Sequence, residues 1–479
     1  MNKLKRYLLP GFFIITIAGR AIAQHQDPSW SVRRATINEQ CIQGDSLCNV
    51  LHKRGTFEGH LRSFLMSTVN HAAYPDYYAL ATGGGLAYFS PVIKNFQVGM
   101  SGFIIYNLTS SHLGPTPPYA SRYELGLFDI NNPDNHDDLD RLEDLYLRYY
   151  LSQQHHSYFQ VGKFHLKTPL INLQDGRMRP NLQQGVWGEF NQFESLKLKG
   201  GWLWRTSPRS TIHWFDIGES LGVYPEGRAT NGLKASYAGN VKSAGIAIAN
   251  ATLLPVKGLE VQAWNYWVAN VMNTSFFNTE YKGKHGKKQW FLGIQYLAQN
   301  SLYSDTLALE KQYTPAGEKA HVISARVGAT NIGNANSWNL SYTRITAHGR
   351  FLFPREWGVE PLYTFMFRER VEGAGDVHAI MMQNQRPMGK EKKLSLQTQG
   401  GVYWMPAVSN PVLNKYTMPS FYHINVRARY KFTGFMHGLH ADIMYSYKGN
   451  LNRRLEVTPA HYHNKVNTHL LSVVLDYYF

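Results

Sequence analysis

Long hydrophobic runs are what this chain of 479 residues most conspicuously lacks. Beyond its first two dozen residues, no segment reaches the roughly 18–20 apolar residues that a membrane-spanning helix needs, and the mean hydropathy is −0.35. Cysteine is nearly absent too, limited to Cys41 and Cys48. Six residues between them is the wrong spacing for a redox pair or a zinc knuckle. Acidic residues are few, 33 against 49 lysines and arginines, so the formal charge is +16. No basic helical stripe or nucleic-acid motif goes with that excess. Nucleic acid is therefore set aside as a partner, and anionic solutes remain.

What is present begins with a leader. Lys3, Lys5 and Arg6 precede an apolar stretch from Tyr7 to Ala18, and Ala21-Ile22-Ala23 gives a small-x-small cleavage pattern. Residues 1–23 read as a signal peptide, with Gln24 as the first mature residue. The leader carries four cations (Lys3, Lys5, Arg6, Arg20), which leaves about +12 in the mature chain. In an exported protein, Cys41 and Cys48 read as a disulfide within a periplasmic segment, residues 24–55, worth roughly 2–3 kcal/mol. Two free thiols are the alternative. Too few residues precede Gly55 for a plug domain, which argues against an active receptor.

The whole chain is 43% hydrophobic and 14% aromatic, with Tyr 30, Phe 24 and Trp 11. Those aromatics suit girdles at two membrane interfaces. Modest hydropathy is expected of transmembrane strands, in which every second residue faces water. Alternation of that kind recurs at about residues 56–66, 82–90, 95–107, 142–152, 156–165, 184–192, 195–205, 243–251, 258–268, 274–282, 288–299, 320–330, 336–346, 358–370, 393–404, 420–432, 438–449 and 466–479. Short connections (90–94, 152–155, 192–194, 433–437) alternate with long ones (108–141, 166–183, 206–242, 450–465), as periplasmic turns and outer loops should. Residues 371–392 break the rule, because a turn is expected there. Residues 231–237 read as a short hairpin within an outer loop. The expected fold is an all-β, transmembrane, antiparallel up-and-down barrel over residues 56–479 in the bacterial outer membrane. Eighteen strands is the expected count, with sixteen as the alternative.

The last strand places Leu471, Val473, Leu475, Tyr477 and Phe479 on one face. Its terminal aromatic resembles the recognition strand of bacterial outer-membrane barrels, read by the barrel-assembly machinery.

Energetics assign the faces. In 421–432 the apolar set is Tyr422, Ile424, Val426, Ala428, Tyr430 and Phe432, and the polar set is His423, Asn425, Arg427, Arg429 and Lys431. A cation on the lipid face costs about 2–4 kcal/mol near the midplane, so the basic set must face inward. By the same count His440, Asp442, Ser446 and Lys448 face inward, as do Lys197, Lys199 and Arg205. Arg62, Arg148, Arg326, Arg368 and Arg370 join them. Such an interior cannot be solid packing, which would leave the cations desolvated and mutually repelling. It is either a hydrated wall without preference or a track that hands anions from one cation to the next.

Residues 162–185, GKFHLKTPLINLQDGRMRPNLQQG, resemble the inward-folding third loop of the OprD family of substrate-selective outer-membrane porins. The matching elements are Gly162-Lys163, Thr168-Pro169-Leu170, Asp175-Gly176-Arg177-Met178-Arg179-Pro180 and Gly185. The early Gly55-x6-Arg62 and residues 349–357 (GRFLFPREW) are similar to further family features. The resemblance implies an eighteen-stranded porin narrowed by its third loop, with a row of wall cations guiding carboxylate-bearing solutes by passive diffusion. Asp175, Arg177 and Arg179 would then form the constriction. Pro169 and Pro180 stiffen a loop that must hold its shape, and the guanidinium forks suit carboxylates. A structural Asp175–Arg177 pair is the alternative. Residues 349–357 hold one acid, Glu356, so selectivity for basic amino acids is not expected.

The other candidate chemistry is thinner. The acidic residues 131–144 lack calcium-loop spacing and read as a solvated outer loop that could bridge lipopolysaccharide through divalent cations. Gly83-Gly84-Gly85 has no phosphate-loop context and reads as a site of bending or close packing. His461 with His463 lacks further metal-ligand spacing. Neither His213 with Asp216 nor His463 with Ser301 makes a convincing hydrolase. No enzyme activity, cofactor or metal is expected. The partners expected are lipid and lipopolysaccharide, solutes in transit and the assembly machinery. A general or oligosaccharide porin is the main alternative.

Overall fold

The structure is a computed structural model and describes residues 55–114, 121, 123–173, 176–304 and 307–479. Asp175, Cys41, Cys48 and the leader lie outside them. The strands are β1 (Thr56–Val69), β2 (Tyr77–Phe89), β3 (Phe96–Ser110), β4 (Leu139–Ser152), β5 (Ser157–Phe164), β6 (Leu182–Phe190), β7 (Leu196–Ser207), the two-residue β8 (Phe215–Asp216), β9 (Ile246–Leu253) and β10 (Leu259–Val268). They continue as β11 (Met272–His285), β12 (Lys288–Ser301), β13 (Lys319–Asn331), β14 (Ser337–Ile345), β15 (Val377–Met388), β16 (Leu394–Trp404), β17 (Phe421–Lys431), β18 (Leu439–Asn450) and β19 (Thr468–Tyr478).

Each wall strand pairs antiparallel with its neighbours, and β19 pairs with β1 to close the ring. β8 only caps the end of β7, which pairs directly with β9. The wall therefore has eighteen strands. Closure leaves no unpaired edge, which is the condition for crossing a bilayer with strands. Among the described residues no helix is long and apolar enough to cross one.

Alternation does the sorting. On β12, Trp290, Leu292, Ile294 and Tyr296 are exposed, whereas Gln295 and Gln299 are buried inside. On β17, Ile424 and Val426 point out, and His423, Asn425 and Arg427 point in, as the cost of a lipid-facing cation requires. Aromatic residues mark both rims: Phe57, Tyr281 and Trp290 at the short-turn end, Tyr78, Trp267 and Trp404 at the long-loop end.

One strand lies elsewhere than expected. Residues 358–370 form no strand, and β15 (Val377–Met388) occupies the stretch expected to be a turn. The segment 351–376 instead folds into the bore and buries Phe351, Trp357, Val359, Leu362, Tyr363 and Met366. Alternation cannot tell a lipid-facing residue from one packed inside the barrel, and Pro361 removes a ladder donor. β15 was hidden by its apolar run Ala379-Ile380-Met381-Met382 and by Pro387. Arg368 and Arg370 thus reach the lumen from a loop. Arg205 also departs from expectation. A bulge moves the register from Gln184↔Arg205 to Gly185↔Leu203, so Arg205 turns outward and pairs with Asp216 at 2.6 Å. The hairpin expected at 231–237 reduces to an isolated bridge between Arg228 and Lys234.

Candidate functional site: the lumen and its constriction

The loop between β5 and β6 folds inward and is bolted to the wall by ion pairs. Arg179 donates to Glu143 from Nε at 2.7 Å and again from Nη2, and its Nη1 lies 3.1 Å from His60 Nδ1. Arg141 reaches Glu143 at 3.1 Å and donates to the Pro180 carbonyl at 2.7 Å. His60 and Arg62 both meet Asp476 at 2.7 Å, and Arg62 donates to the Arg177 carbonyl at 3.0 Å. One continuous network therefore joins β1, β4 and β19 to the loop, across the seam where the barrel closes.

Small residues make room for it. A Cβ on Gly83 or Gly85 would lie 2.5 Å from the Phe103 ring, and Arg179 stacks 4.0 Å from that ring's centre. The glycine run therefore lets Phe103 lie flat and carry the loop, so that of bending and close packing it is close packing that the structure uses here. Gly126 similarly makes way for Arg177, whose Nε would be 2.4 Å from an added Cβ.

The second inward segment, 351–376, clasps the first. Asn172 donates to the Val359 carbonyl at 2.8 Å and accepts from the Val359 amide at 3.1 Å. Trp357 Nε1 donates to Ser220 at 2.9 Å, and Arg355 pairs with Glu372 at 2.5 Å. Glu356 accepts from the Gly222 and Tyr224 amides, so the lone acid of residues 349–357 is spent on loop structure. Arg368 holds a left-handed backbone (φ 69°) and donates to the Gly176 carbonyl at 3.0 Å and to Ser472 at 2.8 Å.

Two cavities flank this plane. The outer one, about 930 Å³, is lined by Arg177, Arg209, Arg228, Lys234, Arg355, Arg368, Arg370, Lys415 and Lys465 against Glu226, Glu369 and Glu372. The inner one, about 320 Å³, is lined by Arg62, Arg368, Lys392, Lys393, Arg427, Arg429 and Lys431 against Asp442 and Asp476. Gly176 and Arg368 line both. Burial and mutual repulsion pull the loop guanidiniums down, Arg177 to about 9 and Arg209, Arg368 and Arg370 to about 10. All stay cationic near neutrality, and an anion entering between them would relieve the repulsion.

The expected path residues divide. Arg62, Arg368, Arg370, Arg427, Arg429, Lys431 and Arg177 line these cavities. Arg179 is buried in the anchor. Arg148 donates to Gln160 and lies over the Tyr158 ring at 4.3 Å. Arg326 pairs with Glu280 at 2.6 Å beneath Tyr363, and Lys199 pairs with Glu189 at 2.9 Å. Lys197 lines neither cavity. Sequence reasoning missed Arg209, Lys415 and Lys393, which sit in connections without periodicity, and it missed Glu143 as the anchor. The acid-rich stretch ending at Asp144 was its only trace.

The hydrolase sets do not assemble. His213 meets Asp129 at 3.1 Å and Asp216 meets Arg205, while His463 bonds Tyr77 and Ser301 bonds the Thr314 carbonyl. His461 and His463 also have separate partners, the Glu456 carbonyl and Tyr77.

An inward-folded third loop lies inside the eighteen-strand ring, and residues 140–355 match the model of the outer membrane porin, OprD family. Over that stretch the chain is similar to the OprD family of outer membrane porins. No curated protein matches it significantly. Among solved structures it is similar to Pseudomonas aeruginosa OccK9 (OpdG) at 14% identity, TM-score 0.70, and to Pseudomonas aeruginosa OpdK with vanillate at 13%, TM-score 0.68. It is also similar to Acinetobacter baumannii OccAB2 at 12%, TM-score 0.69. Each alignment covers 89% of this chain and 98% of the other. Such identities carry the fold. OprD-family members are channels of the bacterial outer membrane, not enzymes.

Proposed function

We propose that this porin passes small anionic solutes, carboxylates foremost, by passive diffusion along the cation-lined bore. The observation that carries this reading is the excess of cations over carboxylates in both cavities, joined at Arg368. Each guanidinium offers a planar fork that matches a carboxylate, and successive forks allow release as readily as capture. The similar OpdK structure holds vanillate, an aromatic carboxylate. Tyr224, Phe365 and Tyr416 beside the outer arginines would accommodate an apolar body of that kind.

A weakly selective pore is the second reading, favoured by the pairing of Arg62 with Asp476 and of Arg427 with Asp442. Reversal potentials across a potassium chloride gradient, with liposome swelling in carboxylates and their uncharged amides, separate the two. Anion preference with faster carboxylate entry is expected, reduced by Arg368→Gln. Cation preference, or equal entry of acid and amide, sinks the first reading.

A further inference from the structure

The outer face of β11–β15 carries a feature that permeation does not use. An apolar groove of about 510 Å³ runs there between Tyr281, Leu292, Ile294, Ala325, Leu340 and Tyr342. It exists because Ala325 is small where its neighbours are large. At its long-loop end the wall changes character. Tyr296 is hydrogen-bonded to His321 Nδ1 at 2.9 Å, and Tyr342, itself a groove residue, to His378 Nδ1 at 2.8 Å.

Register makes these neighbours rather than scattered contacts. Ile323, two residues from His321, opposes Arg344, and Arg344 opposes His378. The His348 ring lies 5.7 Å from that of His321. Lys319 is exposed on the same strand face as His321, because Ala320 between them is buried. Arg344 gives one bond to Asp376 at 2.6 Å and another to the Val377 carbonyl. A tyrosine hydroxyl that donates to Nδ1 leaves Nε2 as the protonated nitrogen, able to donate in turn.

We infer that this face is a binding site for a phosphorylated glycolipid of the outer leaflet, an acyl chain lying in the groove and a phosphate meeting Lys319, His321, His378 and Arg344. Apolar burial favours any acyl chain, so the groove alone gives no headgroup choice. The choice comes from position: donors and cations sit directly above it, at the long-loop end, where headgroup phosphates lie. A phosphate monoester carries close to two charges and three acceptor oxygens, which matches a cluster of spaced donors better than a zwitterionic headgroup does.

Native mass spectrometry of the detergent-purified full chain tests this, with diphosphoryl lipid A, its dephosphorylated form and phosphatidylglycerol as probes. Diphosphoryl lipid A should bind at least about tenfold more tightly than the other two, and Lys319→Ala/His321→Ala/His378→Ala should remove about that factor. Ala325→Phe, which fills the groove, should weaken lipid A without changing charge. His469→Ala removes a like Tyr445–His469 pair (2.7 Å) on β18 and β19 and should leave binding intact. Each variant is first shown to conduct, and if the triple variant does not fold, Lys319→Ala and Ala325→Phe carry the test. Equal binding of the dephosphorylated lipid or of phosphatidylglycerol, or full binding by the variants, overturns the assignment.

Discussion

Arg326 and Arg427 face the same lumen, are buried alike (7% and 6% exposed) and each has one carboxylate partner. Their surroundings differ. Beside β13, Tyr363 of the inward segment fills the space over Arg326, donates from its backbone amide to the Ser324 hydroxyl at 3.0 Å and from its own hydroxyl to Asn278 at 2.7 Å. Beside β17 the Phe367 ring lies 4.6 Å from Arg427, but Arg427, Arg429 and Lys431 still line the inner cavity together with Lys392 and Lys393. A cation's role in a bore is set by what occupies the volume next to it, not by the face of the strand that carries it. One side of the lumen is filled and the other borders the inner cavity.

The largest effect is expected from breaking the third loop's anchor. Glu143→Ala leaves Arg141 and Arg179 buried without their carboxylate, a loss of about 3–5 kcal/mol for a buried pair broken from one side. The third loop should detach from the wall. Single-channel records should become noisy and the segment around Gly176 open to protease; quiet channels with an intact loop would show that the anchor lies elsewhere.

A smaller effect separates the two sides directly. Arg427→Gln with Arg429→Gln removes two charges from the side that borders the inner cavity. With an effective dielectric of about 40 and an approach of about 8 Å, each is worth about 1 kcal/mol to a passing anion, roughly fivefold. Anion preference should fall by about 25-fold, the product of the two, with the barrel's melting point little changed. Arg326→Gln should do the reverse, leaving selectivity as it was while lowering the melting point more, because Glu280 (14% exposed) is more deeply buried than Asp442 (23%) when it loses its partner. If both substitutions alter selectivity equally, the division between filled and cavity-bordering sides is wrong.

This division also marks how far the sequence could be read. Lipid is an unforgiving solvent, so alternation on β17 and β18 assigned Arg427, Asp442 and Lys448 to the inside without any structure. The strand count came through for the same reason. The one misplaced strand shows the limit: Val359, Leu362, Tyr363 and Met366 are apolar because they pack inside the bore, and periodicity cannot separate that from lipid contact. Arg205 was misassigned because a single extra residue at a bulge reverses every face beyond it. Which inward cations lie on the path depended on Tyr363, Gln160 and Glu189, partners distant in sequence or hidden in another strand's alternation. The inward fold of the third loop was legible from its motif, but Glu143, which holds it, was not, since an acid beside an acid-rich loop gives no sign of facing inward.

The smallest expected effect is a pH dependence at the outer mouth. Lys415 is 2% exposed, donates to the Tyr237 hydroxyl at 3.1 Å and lies 4.5 Å from the centre of the Tyr313 ring. Burial pushes its amine from the ordinary 10.5 down to about 7, against the pull of Glu372. Between about 7 and 10.5 the unpacked loops would hold a proton that the packed loops have released, so raising pH through that window favours packing. Loop noise in single-channel records should therefore decline from pH 6 to pH 9. The outer chamber loses one cation over the same range, and anion preference should slip by less than about twofold, because the neighbouring Arg355 and Arg370 keep their charge. Lys415→Met, neutral at every pH, should remove both trends. Trends that persist in that variant would move the titration to another group and leave Lys415 as a packed, permanently charged strut.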